Sequence, residues 1–127
     1  MTRRCALMFS VLPLALFAQD SPFGLGENTG PPASCDTIEG WSNEAPQDQG
    51  RISLALRGVI DGIDSDDALV YLHMCEDTLP ATCITYHPIE YEIGTEVVFA
   101  GGYHLMEADP PRIILDPCLP FPADEAR

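Results

Sequence analysis

The chain has 127 residues, with 20 acidic side chains against 6 basic ones, a formal net charge of −14 and no lysine. A surface this acidic repels nucleic-acid phosphates and anionic headgroups, which excludes the ordinary electrostatic routes to either partner. The length suits one domain with one modest core.

The chain opens as an export signal does. Arg3 and Arg4 supply a positive start, Ala6 to Phe17 is an apolar run interrupted by Ser10 and Pro13, and Ala18 offers a small residue before Gln19-Asp20. The rival reading is a membrane anchor. Twelve residues of helix rise only about 18 Å against a hydrocarbon core of about 30 Å. Cleavage after Ala18 is therefore expected, with no membrane span left afterwards. The product then carries twenty acids against four arginines, a charge of −16.

Residues 19–50 are rich in Gly, Pro, Asn and Ser, and Gly24, Gly26, Gly30, Pro31 and Pro32 break any period. An irregular, polar lead-in is expected, tied down by Cys35 and by Trp41. Trp41 suits either the cap of a barrel end or a stacking platform for a ligand. From Arg51 the texture changes. Ile52, Leu54 and Leu56 alternate with Ser53, Ala55 and Arg57, the period of a half-buried strand. Gly58 marks a bend before Val59-Ile60. Asp61 to Asp67 reads as a turn. Ala68 to Cys75 reads as a central strand, with Tyr71 and His73 on one face and Leu72 and Met74 on the other. A third strand begins at Cys83 and runs to His87, where Pro88 interrupts it. A fourth runs from Glu96, bends at Gly101-Gly102 and resumes to Met106. A fifth covers Arg112 to Asp116, stopped by Pro117. No stretch of ten or more residues keeps a helical period.

Five short strands with glycine bends predict an all-β fold, a small barrel over residues 51–118 followed by a tail at 119–127. The spacing resembles an OB-fold. Its bent first strand corresponds to Leu56-Arg57-Gly58-Val59-Ile60-Asp61-Gly62. Its fourth strand corresponds to Gly94-Thr95-Glu96-Val97-Val98-Phe99-Ala100-Gly101. The usual helix between strands three and four has no room here. An immunoglobulin-like sandwich is the alternative, but it wants about seven strands and a Cys-Trp-Cys order that is missing.

The mature cysteines are Cys35, Cys75, Cys83 and Cys118, an even number in a small exported chain and hence two disulfides with three connectivities. Cys75 and Cys83 flank one loop, and Cys35 and Cys118 flank the barrel, so those pairs are expected. They would stabilise by about 2.6 and 4.6 kcal/mol.

Four groups invite chemistry. His73, His104 and Met106 offer donors suited to Cu(I) in an exported protein. Tyr71, Tyr86, Tyr103 and Trp41 offer a binding face. The acidic turn resembles a calcium loop in composition, but lacks the EF-hand spacing and reads as solvated. Nothing has the spacing of a nucleophile with its base, and the thiols are committed to disulfides. The expectation is an exported binding or structural module for an unknown protein or small ligand, without cofactor or catalysis. A periplasmic copper-handling protein is the alternative.

Overall fold

A computed structural model describes residues 21–46, 51–86 and 90–124. The expected signal at 1–18 and His87 lie outside them. The elements in chain order are β1 (Phe23–Leu25), β2 (Ala33–Ser34), α1 (Ile38–Asn43), β3 (Ile52–Val59), β4 (Gly62–Ser65), β5 (Val70–Met74), β6 (Ala81–Thr85), β7 (Glu96–Met106) and β8 (Arg112–Pro122).

The fold is all-β apart from one short helix. The sheet follows the order β1-β3-β7-β8-β6-β5-β4, with β2 as a branch on β3. It has eight strands where five were expected, and it is not closed into a barrel. No ladder joins β3 to β4. They follow one another across Ile60-Asp61, β3 pairing with β7 and β4 with β5. The stretch expected as an acidic turn thus contains a strand.

The lead-in is more ordered than its composition suggests. β1 runs antiparallel to β3 (Phe23↔Leu54), and β2 runs parallel to it (Ala33↔Leu56). Both lie along one edge of β3, supplying partners its backbone would otherwise lack. Six residues of helix follow, too few for a period to be read. They bury Ile38 and seat Trp41 half-buried against the core.

Alternation decides the core. Leu54, Leu56, Leu72, Val97, Phe99 and Ile113 point to one side of the curled sheet and are fully buried there. Burying each stabilises the fold by about 1.5–3 kcal/mol. Gly58 is required where β3 passes the end of β5. A β-carbon there would stand 2.7 Å from Met74 Sδ and 3.1 Å from Cys35 Sγ.

The β7–β8 hairpin contains a register break. Gly101 faces Cys118 but Tyr103 faces Leu115, so one residue of β7, Gly102, opposes two of β8, Asp116 and Pro117. The extra residue is a bulge in β8. Its effect is on parity: Ile113 and Leu115 point inward, and beyond the bulge Cys118 does, leaving Leu119 and Phe121 exposed outside. Pro117 therefore does not end the strand as expected. β8 continues to Pro122, through residues expected to form a tail.

The disulfides are Cys35–Cys75 and Cys83–Cys118, which overturns the expected pairing. The β5–β6 ladder explains why. Leu72 stands opposite Cys83 and Met74 opposite Ala81. Cys75 is thus three residues from the rung of Cys83, about 10 Å along the strand, beyond the roughly 7 Å that a disulfide spans. The bulge turns Cys118 inward, with its Cα 5.3 Å from that of Cys83. Separations of 40 and 35 residues make the two bonds nearly equal, each worth about 4 kcal/mol in the chain-entropy picture.

Candidate functional site

The outer face of the sheet carries two groups of polar and aromatic side chains, one on each side of Ile114. The first belongs to β4, β5, β6 and the start of β8. Arg112 Nη1 and Nη2 donate to the two carboxylate oxygens of Glu76 at 3.1 and 3.0 Å, and Nη1 also donates to Thr82 Oγ1 at 2.9 Å. The same Thr82 Oγ1 is hydrogen-bonded to His73 Nδ1, 2.9 Å away. His73 Nε2–H then donates to Asp64 at 2.9 Å. Arginine only donates and carboxylate only accepts, which sets the direction of the bonds at Arg112, Glu76 and Asp64. Thr82 is buried, and both nitrogens of His73 are engaged.

The neighbouring acidic turn is similarly occupied. Asp66 Oδ1 accepts from the backbone N–H groups of Ala68 and Leu69, both at 2.9 Å, and its other oxygen accepts from Tyr71 at 3.1 Å. Those bonds, the Ala68 N–H first, hold the Asp66 carboxyl below its usual range. The same bond from the other side, seconded by desolvation, raises the Tyr71 phenol. Asp61 accepts from the Glu76 N–H. Asp61, Asp64 and Asp66 are spent on separate backbone and side-chain partners, so the turn does not converge as a calcium loop does.

The second group lies across β3, β7 and β8, in a trough of about 900 Å³. Its floor is Ala100-Gly101-Gly102. One wall comes from the turn at Gly26-Glu27 and from Arg51, the other from Tyr86, Asp116 and Phe121. The floor is bare for a structural reason. A β-carbon on Gly101 would lie 2.4 Å from the Pro117 carbonyl oxygen, and one on Gly102 2.7 Å from that of Asp116. The bulge thus forces glycine onto β7 and turns Leu119 and Phe121 out beside it. Tyr86 donates to Asp116 Oδ1 at 3.1 Å, and this bond, with the carboxylate's charge behind it, raises the phenol.

Of the expected binding residues, the structure gathers Tyr86, Tyr103 and His104 in the trough. Tyr103 is half-buried, bonded to Ser42 at 2.8 Å and edge-on to Phe23. Tyr71 stands outside the trough on β5. Trp41 sits on α1, half-buried against the core. The copper set does not converge. His104 and Met106 share the outer face of β7, but His73 is three strands away, about 14 Å along the sheet, through the rungs Ile114 and Thr82. Among the described residues no group of three or more His, Cys, Asp or Glu could hold a metal ion. None of the described helices is long and apolar enough to cross a membrane.

Asp116, Leu119, Phe121 and the Thr82–Arg112–Glu76 chain are absent from the sequence-based candidates. A signal did exist: Leu119 and Phe121 alternate with prolines directly after Cys118, a strand pattern displaced by one residue. Compared with family models, curated proteins and solved structures, the chain matches none.

Proposed function

We propose that the chain is exported, and that its folded part acts by non-covalent binding in the trough, without catalysing a reaction. Two disulfides in a small β domain fit an oxidising compartment outside the reducing cytosol. The fold that goes with this reading is an OB-like arrangement in an open sheet. Support for it comes from Ile52–Ser65 running as one bent course shared between β7 and β5.

One contrast carries the binding reading. The polar groups outside β4, β5 and β6 are joined in a chain of bonds from Glu76 to Asp64, whereas the trough leaves apolar side chains and one oxygen of Asp116 open. Tyr86, Leu119 and Phe121 are exposed, and the His104 side chain makes no hydrogen bond to a described residue. A concave volume near 900 Å³, lined by apolar Leu119 and Phe121 together with Arg51, Tyr86, His104 and Asp116, has the form of a ligand site.

Two measurements test this. N-terminal sequencing of the exported product should begin at Gln19, and a product retaining Met1 rejects export by signal cleavage. Fragment screening by amide NMR should move Tyr86, Gly101, Gly102 and His104 together. Hits scattered over the surface, or none, reject the trough.

A further inference from the structure

Resting on the trough as the binding site, we infer that its occupant is a cationic, extended peptide segment, held by an arginine or lysine on the Tyr86–Asp116 pair and by an apolar residue on Leu119 and Phe121. Only one oxygen of Asp116 is used within the fold, by the Tyr86 hydroxyl. The other oxygen accepts from no described residue. The ring of Tyr86, 57% exposed, stands beside it. A half-buried carboxylate next to an open aromatic face is the pairing that holds a guanidinium or ammonium group, by charge on one side and by the ring quadrupole on the other.

Among the described residues, none of the arginines is placed on Asp116. Arg57 lies 3.8 Å from Glu96, and Arg112 is bonded to Glu76. Arg51 lines the trough beside the turn carrying Glu27, two strands from Asp116. The trough's own formal charge is negative, two carboxylates to one arginine, and the net charge of −14 draws a cationic partner from a distance. Leu119 and Phe121, turned outward by the bulge, give the neighbouring side chain an apolar seat. The glycine floor lets a peptide backbone approach closely, which favours an extended segment over a bulky one.

The probe is a fluorescein-labelled heptapeptide alternating Arg and Leu, measured by anisotropy at low salt beside Glu/Leu and Ser/Leu versions. The Arg/Leu peptide should bind at least tenfold more tightly than the Ser/Leu peptide, with the Glu/Leu peptide weakest. Asp116→Asn should weaken it five- to tenfold, and Tyr86→Leu by a similar factor. Asp77→Asn removes the same charge from an exposed loop outside the trough and should change it less than twofold. Equal losses from Asp116→Asn and Asp77→Asn mean bulk attraction and overturn the inference. If the Ser/Leu peptide binds as tightly as Arg/Leu and moves the trough amides, the trough stands and the cationic occupant is wrong. If no peptide moves those amides, both fall.

Discussion

The two halves of the outer face are built from the same strands and meet different ends. Over β4, β5 and β6, a run of charged and polar side chains is matched neighbour to neighbour: Glu76 to Arg112, Arg112 to Thr82, Thr82 to His73, His73 to Asp64. Over β3, β7 and β8, the floor is Ala100 and two glycines, Leu119 and Phe121 stand exposed, and Asp116 keeps an oxygen free. The difference arises at one residue. In β8 the pairs before the bulge continue the matched half, and the pairs after it are shifted in parity, so apolar side chains arrive outside. Closed hydrogen bonding rigidifies a surface and leaves it little to offer a ligand. Open valences beside a cavity do the reverse.

The largest test concerns Cys118. Deleting Pro117 would leave Cys118 opposite Gly101 and still facing inward, so the bond that the inward turn makes possible is the target. Cys83→Ala together with Cys118→Ala removes it without leaving a free thiol. Unfolding in urea should show a stability loss of about 4 kcal/mol. A double variant that keeps the wild-type denaturation midpoint contradicts the role given to the inward turn of Cys118.

Next in size, Gly101→Ala places a methyl group 2.4 Å from the Pro117 carbonyl oxygen. The floor and β8 must then separate, at a cost of about 1–3 kcal/mol. Gly40→Ala, which meets nothing within 4 Å, is the matched control and should be neutral or slightly stabilising, because alanine is the better helix former. Equal denaturation midpoints for the two variants remove the close approach as the reason for glycine.

On the matched half, Thr82→Val removes the hydroxyl shared by Arg112 and His73 while keeping the shape. The two nitrogens lose their common partner, and unfolding in urea should show a loss of about 1–3 kcal/mol. On the open half, Tyr86→Phe removes one exposed hydrogen bond and should stay within about 0.5 kcal/mol. The contrast between the halves fails if the two substitutions cost the same.

Much of this fold was legible in the chain. The alternation at Ile52–Leu56 gives β3, the two-faced apolar run at Ala68–Cys75 gives β5, and the bend expected at Gly101-Gly102 falls where the ladder loses register. What escaped depends on partners distant in sequence. β1 and β2 are strands because β3 has an edge to cover, and their Gly/Pro-rich composition gives no local sign of it. Pro117 looks like a terminator because a proline lacks a donor, yet at a bulge no donor is needed. Disulfide pairing followed the register of β5 on β6 and the parity of β8, neither visible from cysteine spacing. The site was half legible for the same reason. Tyr86, Tyr103 and His104 stand out as residue types, whereas Asp116 and Phe121 acquire their place only from the bulge.

The smallest effect compares the two halves by titration. Each has one phenol bonded to a carboxylate, Tyr71 to Asp66 and Tyr86 to Asp116. Both phenols are raised above the usual 10.0, so the folded chain holds these protons more tightly than the unfolded one. Their contribution to stability is complete below about pH 10 and is lost as pH rises through the folded values. Asp66 runs the other way. Its lowered carboxyl contributes above the usual 3.8 and loses that contribution as pH falls through the folded value. Absorbance titration of the four tyrosines should therefore show two late components. Asp66→Asn should advance one of them, and Asp116→Asn the other. The Asp66 change should also flatten the loss of stability on the acid side. If one substitution advances both phenols equally, the two halves are coupled through Tyr71 and Tyr86, and a ligand seated on Tyr86 will then be sensed at the Asp66 turn as well.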